Sequence, residues 1–164
     1  MDLKKPLLFL KHLPKKLNKF YLKNSDKNMI IDNKSKDRSI LNPVTNFDKN
    51  FEKFIRSLIK KSFPEDGVRG EEFKDKKAHN DFRWSIDPID GTKAFVIGIP
   101  TWSNLIGLTH KEESIIGLAN FPELNRYYLN DKNKTYLYKN EKKFILKCPK
   151  KYILKKLKII GSFH

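Results

Sequence analysis

The sequence has a single cysteine, Cys148, among its 164 residues. One thiol cannot form an intramolecular disulfide, and it cannot supply the several cysteine ligands of a structural zinc site. The histidines show no H-x-x-x-H spacing, so we interpret them as surface or loop residues. They are His12, His79, His110 and His164. These absences exclude a disulfide-stapled domain and a zinc module built from Cys and His.

Long hydrophobic runs are also absent. The apolar run near the start, residues 7–10, is far shorter than the roughly 20 residues of a membrane span. It is also too short for the apolar part of a secretory signal. Hydrophobic residues still make up 38% of the chain and aromatic residues 12%, which is enough for a real core. The sequence therefore predicts a soluble cytoplasmic protein without a membrane partner.

Acidic residues are few relative to basic ones, 19 against 35, which gives a formal net charge of +16 at pH 7. Such a charge can indicate a nucleic-acid partner. The lysines, however, are spread along the whole chain rather than gathered in one arm, and no aromatic-and-basic strand motif of the RNA-binding type occurs. We therefore interpret the charge as compositional, which argues against nucleic acid and favours a small anionic substrate.

Hydrophobic periodicity predicts two helices followed by a series of strands. Residues 6–23 have helical spacing that Pro14 should kink or delay, and residues 45–61 place an apolar stripe on one face. Residues 24–42 are expected to form a loop or hairpin, and residues 141–158 a connector. Strands are predicted at 29–31, 83–89, 102–108, 114–121, 126–129 and 135–138, with a short strand that runs into a turn over 68–73 and a short helix at 91–97. This order predicts an α+β fold in which N-terminal helices pack on one face of a mostly antiparallel sheet.

The segment 87–92 (DPIDGT) carries most of the chemistry. Pro88 fixes its own φ, so the carboxylates of Asp87 and Asp90 are expected on a stiff turn at the end of a strand. Hard oxygen ligands of this kind suit Mg²⁺, and Glu71 on another turn would add a third carboxylate. Converging carboxylates repel each other unless cations neutralise them. Two metals in such a pocket can clamp the attacking and leaving oxygens of a phosphoryl transfer.

Gly91 and Thr92 open the predicted short helix. Backbone N–H groups at a helix N-terminus bind phosphate, and glycine allows the phosphate to approach closely. Thr92 would cap the helix or orient a water molecule. Asp-Gly and Pro are also common turn residues, so the same six residues could form only a capped loop. The separate segments 70–72 (GEE) and 44–48 (VTNFD) favour the functional interpretation.

Residues 84–95 (WSIDPIDGTKAF) resemble the signature of the inositol monophosphatase family. Residues 70–72 match its G-E-E element, and residues 43–48 (PVTNFD) match its V-T-x-x-D element. The resemblance extends from about residue 6 to the end of the chain. It implies the first half of the layered αβαβα sugar-phosphatase fold.

The resemblance also implies a set of metal ligands. Glu71, Asp87 and the backbone carbonyl of Ile89 would bind a first Mg²⁺. Asp87 would bridge to a second ion that Asp90 also holds. Glu72 would support these ligands or bind a third ion, so two or three Mg²⁺ ions are expected.

The catalytic residues that the resemblance implies are Asp48, Thr92 and Glu72. Thr92 and Asp48 would activate the attacking water, and the N–H groups of Gly91 and Thr92 would hold the phosphate. The reaction would be direct hydrolysis of a phosphate monoester without a phospho-enzyme.

Residues 95–108 and 117–122, followed by Arg126 and Tyr127, are similar to the histidinol-phosphatase branch of the family. The favoured substrate is therefore histidinol phosphate, an intermediate of histidine biosynthesis. One alternative is an inositol monophosphatase of broad specificity that acts on inositol phosphates. Another alternative is a non-catalytic basic fragment that binds polyanions.

A complete family member has a second sub-domain with a W-D-x-A element, and no such element occurs here. We therefore expect residues 1–157 to form the metal- and phosphate-binding sub-domain and residues 158–164 to begin a truncated second one. The chain alone is expected to have weak or no activity. Family members are commonly homodimers, so a homodimer is one state that the resemblance allows.

Overall fold

The computed structural model describes residues 2–25, 28–36 and 43–147. These residues form helices and strands in an α+β arrangement, as predicted. Their bounds are α1 (Lys4–Asn24), β1 (Ile31–Asn33), β2 (Pro43–Thr45), α2 (Asn46–Ser62), β3 (Gly67–Arg69), β4 (Phe82–Asp90), α3 (Thr92–Val96), β5 (Ser103–His110), β6 (Glu113–Phe121), β7 (Arg126–Asn130), β8 (Thr135–Lys139) and β9 (Lys142–Leu146). None of the helices in the described part of the chain combines the length and hydrophobicity that a membrane span requires.

A seven-stranded sheet runs in chain order from β3 to β9. β3 and β4 are parallel, and every later neighbour pair is antiparallel. Two of the connections are tight hairpins whose central residues have positive φ: Lys111 and Glu112 between β5 and β6, and Asn140 and Glu141 between β8 and β9. Turns of this kind match the right-handed twist of the strands that they join. β1 and β2 form a separate antiparallel pair.

The two long helices follow the sequence pattern closely. α1 begins at Lys4 and continues through a buried Pro14, so the predicted alternative of a late start does not occur. α2 begins after Thr45, whose side chain caps it, and the apolar face predicted for residues 45–61 is the buried one. Phe47 and Phe51 on that face are each at most 3% exposed.

The core lies between these helices and one face of the sheet. Trp84, Ile86 and Ile106 on the sheet belong to one buried cluster with Phe51 of α2 and Leu13 of α1. Antiparallel register places Ile86 opposite Ile106, which continues the apolar row from strand to strand. Alternation along each strand sends the intervening side chains to the other face.

That other face is only half-buried, and we call it the open sheet face. It consists of Ser85, Asp87, Leu105, Gly107, Gly117 and Ala119. Its members pair directly across three strands, with Gly107 opposite both Ser85 and Gly117. A cavity of about 570 Å³ lies over it and reaches Gly70 and Glu71. The fold therefore places two predicted metal ligands, Asp87 and Glu71, around the same accessible cavity.

Two sequence predictions need correction. Residues 142–146 form β9, not a connector, because their backbone pairs with β8 even though all five side chains are exposed. The strand predicted at 29–31 is shifted, since β1 begins at Ile31 and pairs with β2. The short strand predicted to run into a turn over 68–73 is β3, which ends at Arg69 before the chain bends at 71–73. The predicted boundary at residue 157 and the start of the second sub-domain at residues 158–164 lie outside the described residues.

Candidate phosphatase site

The end of β4 is irregular where the two predicted aspartates lie. Asp87 pairs with Leu105 and Asp90 pairs with Ser103, so β4 has one more residue than β5 in this interval. Such a bulge bends a strand and re-aims its side chains. The Pro88 carbonyl accepts a hydrogen bond from the buried Asn104 side chain at 2.7 Å. This contact holds the bulge from the side of β5.

Gly91 ends the bulge in the left-handed region, with φ 83°. Its Cβ would have room, since the nearest atom would be the Trp102 Cα at 3.6 Å. The requirement for glycine is therefore conformational, because other residues rarely adopt this φ. The next residue, Thr92, begins α3. Its hydroxyl lies 3.0 Å from the Ile89 carbonyl, to which it donates, and 3.5 Å from Asp48 Oδ1.

Asp48 is almost completely buried, at 2% exposure, in the first turn of α2. Its Oδ2 accepts hydrogen bonds from the Thr45 N–H and the Thr45 hydroxyl, both at 2.7 Å. Its Oδ1 is the oxygen on the side of Thr92. The capping box therefore stabilises the helix and leaves one carboxylate oxygen facing the site.

Asp87 is the most perturbed acid in the described chain. Burial, together with the negative charges of Glu71, Asp90 and Asp48, raises the pKa of its carboxyl to about 7, although a hydrogen bond from the Ile89 N–H acts in the opposite direction. Among the described residues, its Oδ1 is buried without a hydrogen-bond partner. A buried, unpaired carboxylate oxygen is costly and calls for an explanation. A cation at this oxygen would provide one.

Glu71 and Glu72 share a cation that the sequence did not reveal. The Lys34 ammonium lies 3.5 Å from Glu71 Oε2 and donates a hydrogen bond to Glu72 Oε1. The Glu72 side chain is buried at 4% exposure, whereas that of Glu71 is 52% exposed. Partial burial acts to lower the pKa of Lys34, but the hydrogen bond to Glu72 and the two negative charges raise it overall. No spacing pattern could have found Lys34, because it meets these acids only through the fold.

Glu52 on α2 contacts the turn that carries Glu71 and Glu72. It is fully buried, pairs with Arg56 Nε at 2.6 Å, and accepts the Glu72 N–H at 2.7 Å. A Cβ added at Gly70 would stand 2.2 Å from Glu52 Oε1. Gly70 is therefore required for close approach, and sequence reasoning missed Glu52 because it resembles any other polar helix residue.

The described side chains do not by themselves form a closed metal cage. Within residues 2–25, 28–36 and 43–147, no three His, Cys, Asp or Glu side chains form a group that could hold a metal ion. Asp90 is exposed, and Ser103 donates a hydrogen bond to it at 3.3 Å. The structure thus places the Thr92 hydroxyl next to both the Asp48 carboxylate and the Ile89 carbonyl. It places Glu71, Asp90 and Asp48 near enough to Asp87 to shift its pKa.

The sequence model of the inositol monophosphatase family matches residues 7–162. The chain belongs to this family. The match includes all the residues named above as candidates for metal binding, phosphate binding and catalysis.

Curated family members most similar to the chain include several histidinol-phosphatases. The protein of Chlorobaculum parvum is 44% identical over 86 residues, which cover 52% of this chain and 33% of that protein. The protein of Mycobacterium tuberculosis is 41% identical over 86 residues, which again cover 52% of this chain and 33% of that protein. A fructose-1,6-bisphosphatase/inositol-1-monophosphatase of Aquifex aeolicus is 37% identical over 89 residues, 54% of this chain and 34% of that protein. The chain thus matches only about a third of these relatives.

Solved structures of the family share the fold. The IMPase of Thermotoga maritima has a TM-score of 0.61 at 26% identity, covering 84% of this chain and 50% of that one. An IMPase/NADP phosphatase has a TM-score of 0.71 at 17% identity, and the match covers 88% of this chain and 52% of that one. The chain therefore spans about half of the structures that it resembles.

The donor set of the site fits a divalent cation of the Mg²⁺ type. Its candidate ligands are all oxygens, as Mg²⁺ prefers. Asp87 Oδ1 has no other partner among the described residues, and the neighbouring acids destabilise its charged form. A bound cation would reverse that effect, since it favours ionised carboxylates.

Proposed function

We propose that this chain supplies the metal- and phosphate-binding half of a Mg²⁺-dependent phosphatase that hydrolyses phosphate monoesters. The observation that carries the proposal is Asp87, a partly buried carboxylate whose buried Oδ1 has no hydrogen-bond partner among the described residues and which the charges of Glu71, Asp90 and Asp48 surround. A site that serves only to stabilise the fold would not gather like charges in this way.

Glu71, Asp87 and the Ile89 carbonyl would hold one ion, and Asp87 with Asp90 a second. Glu72 would keep its neighbour Glu71 in place, or bind a third ion, from its buried position beside Lys34. Bound Mg²⁺ would neutralise the carboxylates and stabilise negative charge on the phosphate oxygens. An IMPase/NADP phosphatase of the same fold has been solved with Mg²⁺ and phosphate, which supports this assignment.

Asp48 and Thr92 would handle the proton of the attacking water. Asp48 Oδ2 already accepts two hydrogen bonds, so Oδ1 is the oxygen left to accept a proton through Thr92. The Thr92 hydroxyl has a single hydrogen, which it can give to the Ile89 carbonyl or to Asp48. The N–H groups of Gly91 and Thr92 open α3 and would bind the phosphate, since the first N–H groups of a helix lack intrahelical partners.

Histidinol phosphate is the substrate that we propose first, because histidinol-phosphatases are among the most similar relatives. Inositol monophosphate is the second candidate. It is favoured by the relatives of Aquifex aeolicus and Thermotoga maritima that carry both fructose-1,6-bisphosphatase and inositol-1-monophosphatase names.

The test is Mg²⁺-dependent phosphate release from histidinol phosphate and from inositol monophosphate. Each is assayed with the chain alone and with a C-terminal half from a histidinol-phosphatase supplied in trans. We expect release only in the mixture, loss of at least about 100-fold in Asp87→Asn, and no loss in Asp75→Asn, an exposed control. Turnover by the chain alone at the rate of the mixture, or activity that survives Asp87→Asn, would contradict the proposal.

A further inference from the structure

A basic groove runs between α1 and the hairpin strands β7–β9, away from the phosphatase site. Its main cavity has a volume of about 840 Å³. None of the candidate metal-binding or catalytic residues lines it. The cationic side chains that line it are Lys11, Lys15, Lys19, Arg126, Lys139 and Lys143, and the acidic one is Glu141.

One wall is a row of lysines on α1. Lys11, Lys15 and Lys19 follow one another at steps of four residues, so their Cα atoms rise by about 6 Å per step along one helix face. All three are exposed, and none forms an ion pair with another described residue. The step is close to the distance between neighbouring phosphates of a single nucleic-acid strand. The row therefore suits a regularly charged linear polyanion.

The opposite wall is aromatic. The rings of Tyr127 and Tyr138 are stacked, with centroids 4.5 Å apart and an interplanar angle of 8°. Tyr136 lines an adjoining cavity instead; its ring centroid lies 6.5 Å from that of Tyr138, and the Lys143 ammonium lies 3.6 Å from it. Stacking surfaces combined with cations are the usual means by which proteins bind single strands without sequence preference.

The groove continues along α1. A second cavity of about 290 Å³ shares Lys11, Tyr138 and Lys143 with the first and reaches Lys4. Its acidic residue, Asp131, accepts a hydrogen bond from the Tyr136 hydroxyl at 2.9 Å and is held by the local turn. The groove thus extends beyond the size of a mononucleotide site.

Arg126 adds an observation from within the groove. Its Nε is buried and, among the described residues, has no hydrogen-bond partner. A buried cationic donor without an acceptor favours an anionic ligand oxygen nearby.

We propose that the basic groove binds single-stranded nucleic acid, with phosphates along the α1 lysines and bases against the tyrosine wall. An acidic peptide would use the cations but has no planar groups for the tyrosines. The proposal is independent of the phosphatase activity, because no residue is shared between the two sites.

Fluorescence anisotropy of the full chain tests the proposal with labelled oligo-U RNA, oligo-dT DNA and a polyglutamate peptide, each titrated at several salt concentrations. The groove variant is Lys11→Gln/Lys15→Gln/Lys19→Gln. The matched control is Lys53→Gln/Lys60→Gln/Lys61→Gln, which removes the same charge from exposed positions of α2. Circular dichroism melts check that both variants fold.

We expect the groove variant to bind the oligonucleotides at least about tenfold more weakly than the control variant, and to flatten the slope of log K against log salt by about 2, at roughly 0.7 per lost phosphate contact. Tyr138→Leu should weaken binding about tenfold with little change of slope. Tighter binding of either oligo-U or oligo-dT identifies RNA or DNA as the preferred ligand. Equal weakening by both triple variants, or polyglutamate binding as tight as the oligonucleotides, would overturn the proposal.

Discussion

At Asp87 the requirements of chemistry and of folding are opposed. The carboxylate is partly removed from water and surrounded by three other acids, so in the metal-free chain its charged form is disfavoured. Strongly perturbed carboxyl groups are common at functional sites, where a bound ligand can stabilise their charged form. A group of this kind makes stability depend on pH in a definite direction.

The pKa of Asp87 is about 7 in the folded chain, against 3.8 for the ordinary group. Between these values the folded state binds more protons than the unfolded state, so the stability of the metal-free chain falls as pH rises from about 4 to about 7 and then levels. Asp87→Asn removes this contribution. In urea unfolding with EDTA, the variant should gain stability over the wild type, and the gain should be larger at about pH 8 than at about pH 5. An equal gain at both values would refute the assignment.

Gly70 and Glu52 give a second prediction for single residues. Gly70→Ala would place a methyl group against the buried Glu52 carboxylate and displace it from Arg56 and from the Glu72 N–H. Disrupting a buried charged pair of this kind should cost about 3 kcal/mol in the free energy of unfolding.

The matched control for Gly70 is Gly107→Ala. In the part of the chain that the structure describes, no atom lies within 4 Å of a Cβ at Gly107. We expect its effect to stay within about 0.5 kcal/mol, or to be slightly stabilising in a strand. Comparable losses in the two variants by chemical denaturation would show that Glu52 is not the reason for Gly70.

Among the elements, α2 connects folding to the candidate site. Its N-cap, Thr45, accepts hydrogen bonds from the Phe47 and Asp48 N–H groups and donates its own hydroxyl to Asp48. The same three residues start the helix and orient a proposed catalytic carboxylate.

Thr45→Ala should therefore act on both properties. We expect a loss of about 1–2 kcal/mol in unfolding free energy, together with lower phosphate release in the complemented assay. Thr45→Ser keeps the hydroxyl and should recover most of both. If Thr45→Ala lowers stability but leaves turnover intact, the position of Asp48 does not depend on the cap.

For the whole molecule, the open sheet face is the feature that the described residues leave unexplained. Both long helices pack on the opposite face, while Gly107, Gly117 and Ala119 form a flat, half-exposed surface beside Asp87. Small residues allow another element to approach a sheet closely. Since the chain spans about half of the related structures, we expect the remainder of a complete family member to cover this surface.

Gly107→Leu tests that expectation. The isolated variant should fold as well as the wild type, because the space around Gly107 is empty among the described residues. It should nevertheless fail to be activated by the C-terminal half in trans, since the leucine would occupy the docking surface. Thr135→Leu, at an exposed position of β8, serves as the control and should still be activated. Full activation of Gly107→Leu would show that this face is not covered.

The strands and helices that sequence predicted correctly are those with a local signal. The α2 face, the order of the antiparallel strands and the short helix after Gly91 follow from spacing, turn residues and caps within a few positions. β9 was missed because its side chains are all exposed, so no alternation of burial marks it, and only pairing with β8 makes it a strand.

The sequence by itself determined the family and predicted the acids of the candidate site, because its signature lies within short segments whose chemistry depends on neighbouring residues. Tertiary structure alone decided which cation meets Glu71 and Glu72, since Lys34 lies 38 positions before Glu72. It also decided that lysines dispersed along the chain meet in one groove opposite the tyrosines. Contacts between distant residues depend on packing, which composition and periodicity do not encode.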